Sequence, residues 1–247
     1  MPIPLKSPRD IDQMRRAGSL VRRILDEAAA AAVPGVSTRE LDALISARIR
    51  DAGAQPASLQ TGFPAASSIT LNEEAAHAPP GDRLIRPGDV VSIDAALRLG
   101  DWCADAAVVV GESRGIAAAA RGALAAALHE LEPGRPWSAA AQAAAAAAAR
   151  HGCTIVGEYG GHGIGRSLHE PPGAVFVPPG KPFPSEHDFV LRPGMVLTIE
   201  PIVVQGGGRL VTMGDGWTVL TADRSWAAHE ERTIAVTRNG AADMTAP

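Results

Sequence analysis

One nine-residue phrase occurs twice in this chain. Arg86-Pro-Gly-Asp-Val-Val-Ser-Ile-Asp94 is matched by Arg192-Pro-Gly-Met-Val-Leu-Thr-Ile-Glu200. Each copy reads as a Pro-Gly turn, then an apolar strand, then a carboxylate. The segments around the copies are doubled as well. Ser7-x-x-Asp10 and Ser37-x-x-Glu40 read as capping boxes opening two helices, with Pro34-Gly35 breaking the first and Gly53 ending the second. Arg114 to Leu131 reads as a third helix, broken at Pro133-Gly134. Ser138, with Gln142 four residues on, then caps a fourth that ends near Gly152. Gln55 to Thr70 reads as loop or short irregular strand, and Val90 to Val110 as two strands with a turn near Leu99-Gly100. The expected fold is α+β. Two helix-helix-strand halves, residues 7–112 and 113–240, are related by a pseudo-twofold axis within a single domain spanning 1–247. They share one antiparallel sheet, with the helices packed on its outer face.

Composition narrows the class. With 46% hydrophobic and 20% charged residues, the 247-residue chain is long enough to bury a core without staples. Its two cysteines, Cys103 and Cys153, form no C-x-x-C pair, which points to a reducing, cytoplasmic setting. The first residues lack a signal-peptide layout and no stretch is apolar enough to span a membrane. A net charge of -4 argues against a broad nucleic-acid surface. The alanine run Ala143–Ala149 is read as a strong helix former without chemistry.

The chemistry concentrates in carboxylates. A hairpin centred on Leu99-Gly100 sets Asp94 directly opposite Asp105, about 5 Å apart between Cβ atoms. Ile93, Ala95, Ala106 and Val108 indicate burial, where like charges repel strongly. A metal ion is the economical compensation; two solvent-facing aspartates in another register are the competing reading. Glu200 is the repeat equivalent of Asp94, and Glu231 opens a late strand much as Asp105 heads its own apolar run. Gly160-Gly-His162-Gly-Ile-Gly-Arg-Ser-Leu-His169-Glu supplies imidazole. Its glycines lack the Lys-Ser/Thr of a phosphate loop. His129, His151 and His187 are read as solvated. His229 shares a strand face with Glu231 but is given no role.

Asp94, Asp105, His162, Glu200 and Glu231, in this order and spacing, resemble the metal ligands of the methionine aminopeptidases, within the pita-bread metallopeptidase superfamily. The Gly161–Glu170 block, Met213-Gly-Asp-Gly-Trp-Thr-Val219 and Asn72-Glu73 with His77 are similar to the type I enzymes. The resemblance implies two divalent ions (Mn, Fe, Co or Zn) that activate a bridging water and polarise the scissile carbonyl. Glu200 is then the general base, while His77 and His169 hydrogen-bond the scissile amide and its tetrahedral intermediate. Phe63, Ser68, Leu168 and Trp217 line the methionine pocket. The implied substrate is the N-terminus of a nascent polypeptide with a small second residue. The resemblance also implies contact with the ribosome, while a single shared core and the absence of heptads favour a monomer.

Gln60, Ser68, Leu168, Ala76, Ala78 and Glu230 depart from the family pattern, and Glu230 is expected to add an acid beside the metals. Two other readings are a sibling aminopeptidase with altered first-residue preference, such as Xaa-Pro, and a non-catalytic binding paralogue.

Overall fold

The computed structural model describes residues 2–111 and 115–246. The expected boundary between halves at 112/113 and the expected start of the third helix at Arg114 lie outside the described residues.

The first half runs α1 (Pro8–Ala31), α2 (Thr38–Asp51), β1 (Gln55–Pro56), β2 (Ser67–Leu71), β3 (Glu74–Ala76), β4 (Val91–Leu99) and β5 (Trp102–Val110). Both capping boxes form. Ser7 Oγ accepts from the Asp10 amide and Asp10 accepts from the Ser7 amide, and Ser37 and Glu40 repeat the exchange. Every strand pairing here is antiparallel: β5 covers one edge of β4, and β2 and β1 pair along the other. Leu25, Leu41 and Ile45 pack onto Ile69, Ile93 and Leu97, so α1 and α2 lie on one face of this sheet.

The second half runs α3 (Ile116–His129), α4 (Trp137–Arg150), β6 (Thr154–Ile155), β7 (Gly161–Gly163), β8 (Glu170–Ala174), β9 (Val196–Ile199) and β10 (Ile202–Val204). It continues through β11 (Leu210–Thr212), β12 (Val219–Thr221), β13 (Ala227–His229), β14 (Arg232–Thr237) and β15 (Gly240–Asp243). Its main sheet has the order β15-β14-β9-β7-β8, with smaller sheets β13-β10-β6 and β11-β12-β3 beside it. Leu124 and Trp137 pack with Ile155, Leu197, Ile199 and Ile234 in the second core. The alanine run serves this packing, because Ala144, Ala145, Ala147 and Ala148 are buried.

The two copies of the repeated phrase fold alike. Each turn carries the same backbone bond, Asp89 N–H to Arg86 O and Met195 N–H to Arg192 O, both 3.1 Å. Each has a left-handed glycine at the same place, Gly88 (φ 90°) and Gly194 (φ 96°). The halves meet through Met14, Ile164, Leu168 and Val196. Ala107 and Glu231 add an isolated antiparallel bridge between the two main sheets.

Two local expectations are corrected, and a third, the Gln55–Thr70 stretch read as loop or short irregular strand, is refined. The β4–β5 turn falls on Gly100-Asp101, so Asp94 pairs with Ala107 and Asp105 with Ala96. The slip is two residues, which leaves both aspartates on one sheet face as diagonal rather than direct neighbours. The polar stretch before Thr70 contains a fully buried strand, β2, recruited by the edge of β4 and by Asp42, which accepts from Ser67 N–H and Oγ at 2.9 and 2.7 Å. Ser138 does not cap α4: it lies inside the helix and binds Asp188 through N–H (3.0 Å) and Oγ (2.7 Å). The Asp188 carboxylate, fifty residues on, supplies the missing acceptor. Asp188→Ala should therefore lower stability by ~1 kcal/mol, as loss of an N-cap does; an unchanged urea midpoint would exclude the capping role.

Candidate metal centre

Each half delivers carboxylates to the seam between sheets. Asp94 comes from β4 and Asp105 from β5, while Glu200 follows β9 and Glu231 precedes β14. Asp94, Asp105 and Glu231 each place one oxygen within 4.8 Å of the others. His162 Nε2 stands 3.9 Å from Asp105 Oδ2 and 3.7 Å from Glu200 Oε1. Its Nδ1 lies 2.9 Å from Gly163 O, so Nδ1 carries the proton and Nε2 turns its lone pair to the carboxylates. The close fit of this strand requires glycine. A Cβ at Gly161 would lie 1.9 Å from Thr198 O, and one at Gly163 would lie 2.3 Å from Pro171 O.

The electrostatics fit a cation. Burial, then the other carboxylates, push Asp105 and Glu231 well above the usual acid range. Burial and Asp94 push Glu200 up to about 8, although a Thr198 hydrogen bond works the other way. Burial takes His162 down to about 4, keeping it neutral. Asp105 Oδ1 and Glu231 Oε1 are buried without a hydrogen-bond partner. Clustered oxygens and a neutral imidazole nitrogen form the donor set that divalent transition metals favour.

The repeated phrase also arranges the histidines. Thr198 Oγ accepts the His162 amide at 2.9 Å and donates to Glu200 at 2.9 Å. At the matching place Ser92 Oγ accepts the His229 amide at 3.1 Å, and His229 Nε2 approaches Asp94 Oδ2 to 3.9 Å. His229, although it comes from the same half as His162, is thus buried beside an acid of the cluster on the first-half side. Sequence reasoning gave it no role, though its i, i+2 spacing from Glu231 was the available signal.

A cavity of about 430 Å³ opens onto the cluster. It is lined by Asp94, Asp105, His162, Glu200 and Glu231, and also by His77, His169, Phe63, Ser68, Leu168 and Trp217. Every ligand, catalytic and pocket residue implied by the resemblance lines it. His169 meets His162 edge to face (4.4 Å between ring centroids), and Trp217 meets Phe63 the same way at 5.2 Å. Burial lowers the pKa of both His77 and His169. Ser68 stands opposite Asp94 across the β2–β4 pairing, its hydroxyl buried and unpartnered. His77 holds a left-handed φ of 54° with its ring against Tyr159, the kind of unusual backbone found at ligand clamps. Tyr159 and Glu158 also line the cavity and were missed, because neither stands in a motif.

Gln60, Ala76 and Ala78 do not line the cavity. Glu230 contradicts expectation. Adjacent strand residues face opposite ways, and its carboxylate turns from the cluster to Arg232, 2.9 Å from Nη2.

Fold and site define a metallopeptidase: the chain belongs to metallopeptidase family M24, whose model matches residues 12–238. It is 38% identical to the methionine aminopeptidase of Treponema pallidum, across 99% of this chain and 97% of that protein. The methionine aminopeptidase structure from Thermotoga maritima superposes with a TM-score of 0.90 at 33% identity, covering 100% of each chain. The prolidase of Pyrococcus horikoshii, at 22% identity and TM-score 0.72, shares only the fold; it covers 98% of this chain and 63% of its own. No helix among the described residues is long and apolar enough to cross a membrane.

Acids with raised values hold protons in the folded state that the unfolded chain releases. Their stabilisation is full at low pH and lost as pH rises through the folded values, about 8 in the case of Glu200. The Tm of metal-stripped protein should fall between pH ~5 and ~9, and Mn²⁺ should restore it at the upper end by binding only the folded state. A Tm that climbs across that interval would contradict a buried carboxylate cluster.

Proposed function

We propose that this chain is a methionine aminopeptidase that uses two divalent ions and releases N-terminal methionine from nascent chains with a small second residue. The observation that carries the reading is the convergence of Asp94, Asp105, His162, Glu200 and Glu231 on one cavity with two neutral histidines at its wall.

Asp94, Asp105 and Glu231 hold the ions together with His162 and Glu200. Bound divalent ions lower the pKa of water and polarise a carbonyl. Glu200 is the general base. Thr198 donates to its Oε1, which leaves Oε2 to take a proton. His77 and His169 are neutral at pH 7, so each offers one N–H to oxygen of the scissile amide and its tetrahedral intermediate. The substrate's free α-amine would be received at the metal edge and by the carboxylates beside it, which confines cleavage to the chain end. Phe63, Leu168 and Trp217 enclose the apolar part of the first side chain. The Ser68 hydroxyl, buried and without a partner, lies behind this wall, opposite Asp94 on β4. The enzyme works as a monomer on newly made chains, and the identity of its metal follows from reconstitution.

Metal-stripped protein reloaded separately with Mn, Fe, Co or Zn is assayed on Met-Ala-Ser, Leu-Ala-Ser, Ala-Pro-Ala and N-acetyl-Met peptide. Metal-dependent release of methionine from the first alone is expected. Preference for Leu-Ala-Ser or Ala-Pro-Ala would redirect the specificity, and no hydrolysis by metal-loaded protein would reduce the chain to a binding paralogue. In the active enzyme, Glu200→Gln should abolish turnover and His77→Ala should lower kcat by ~10².

A further inference from the structure

Glu231 faces the carboxylate cluster, and its chain neighbour Arg232 leaves the backbone on the other side. The Arg232 side chain is only 11% exposed, behind the cluster. Its Nη1 donates to Glu231 O at 2.8 Å and to Ala107 O at 3.2 Å. Its Nη2 donates to Glu230 Oε1 at 2.9 Å, and its Nε lies 3.8 Å from Asp243 Oδ2. The other Glu230 oxygen faces Arg121 Nε at 3.3 Å.

Those two carbonyls belong to the bridge between the sheets. Ala107 N–H donates to Glu231 O (3.4 Å) and Glu231 N–H to Ala107 O (3.1 Å), and one guanidinium nitrogen adds a further donor to both oxygens. The bridge governs a delicate distance. Asp105 lies two residues from Ala107 on β5, so bridge geometry sets how closely the Asp105 and Glu231 carboxylates approach. These acids come from different halves and repel each other, so a loosely held seam would open when no ion is present.

We propose that Arg232 is a positioning residue for the metal centre. It fastens the Ala107–Glu231 bridge and presets the Asp105–Glu231 spacing for a divalent ion, while Glu230 and Arg121 hold the guanidinium in place. This inference rests on reading the carboxylate cluster as a metal centre. Glu230, turned away from the ions, thereby acts through Arg232. Only a planar fork reaches both carbonyls and Glu230 together, so lysine is a poor substitute.

The test titrates Mn²⁺ into metal-stripped protein by calorimetry, with circular dichroism checking that each variant is folded. Arg232→Met should weaken the Kd for Mn²⁺ by ~10–100-fold, as loss of a group supporting the ligands does, and Arg232→Lys should recover only part of it. Glu230→Gln keeps size and hydrogen bonding and covers the case in which Arg232→Met does not fold; it should weaken binding several-fold. Arg48→Met, at an exposed pair with Glu27, should leave Mn²⁺ binding unchanged and calibrates general destabilisation. Wild-type affinity in folded Arg232→Met, or in Glu230→Gln if Arg232→Met does not fold, would overturn the proposal and leave the metal centre standing. Wild-type protein that binds no Mn²⁺ would overturn the metal-centre reading itself.

Discussion

Asp94, Asp105, Glu200 and Glu231 bring four carboxylates to one seam, where the protein has displaced most of the water that would screen them. Left to themselves these groups repel one another, and burial strengthens that repulsion. They stay together because each is mounted on backbone whose hydrogen bonds are satisfied elsewhere: β4 and β5 in one sheet, the ends of β9 and β14 in the other. The Ala107–Glu231 bridge then couples the two mounts. Outside the seam, two separate hydrophobic cores hold α1 and α2 against one sheet and α3 and α4 against the other, so the strain is borne by well-packed layers.

The pseudo-twofold arrangement makes this economical. The same phrase, from Pro-Gly turn to terminal carboxylate, supplies Asp94 and Glu200. The hydroxyl two residues before each acid binds the amide of a histidine on a neighbouring strand. Both histidines come from the second half, and their settings differ. The His162 side sits on glycines that admit close backbone approach and opens to the cavity, whereas His229 is closed in behind Asp94. The cavity lining thus combines the acids and imidazoles with the apolar side chains of Phe63, Leu168 and Trp217.

Much of this was legible beforehand. The capping boxes at Ser7 and Ser37 are local, involving groups three residues apart, and both form as read. The hairpin aspartates were placed on the correct face despite a two-residue error in register, because strand faces alternate with a period of two. The errors share one origin. Asp188 capping α4, Asp42 fastening β2, Glu230 turning to Arg232 and His229 meeting Asp94 all join residues distant in the chain or depend on which way a strand faces. No local period encodes such partners.

By itself the sequence determined the two-half α+β plan, the helices with their stops, and the acids and imidazoles able to hold a metal. It did so because turns, caps and periodicity are written in neighbouring residues, and because the donor chemistry belongs to the residue type. Only the tertiary structure decided which oxygens converge, which acid turns outward to an arginine, and which hydroxyl is left unsatisfied behind the cavity wall. Those outcomes depend on strand register and on burial, and both are set by the packing of one half against the other.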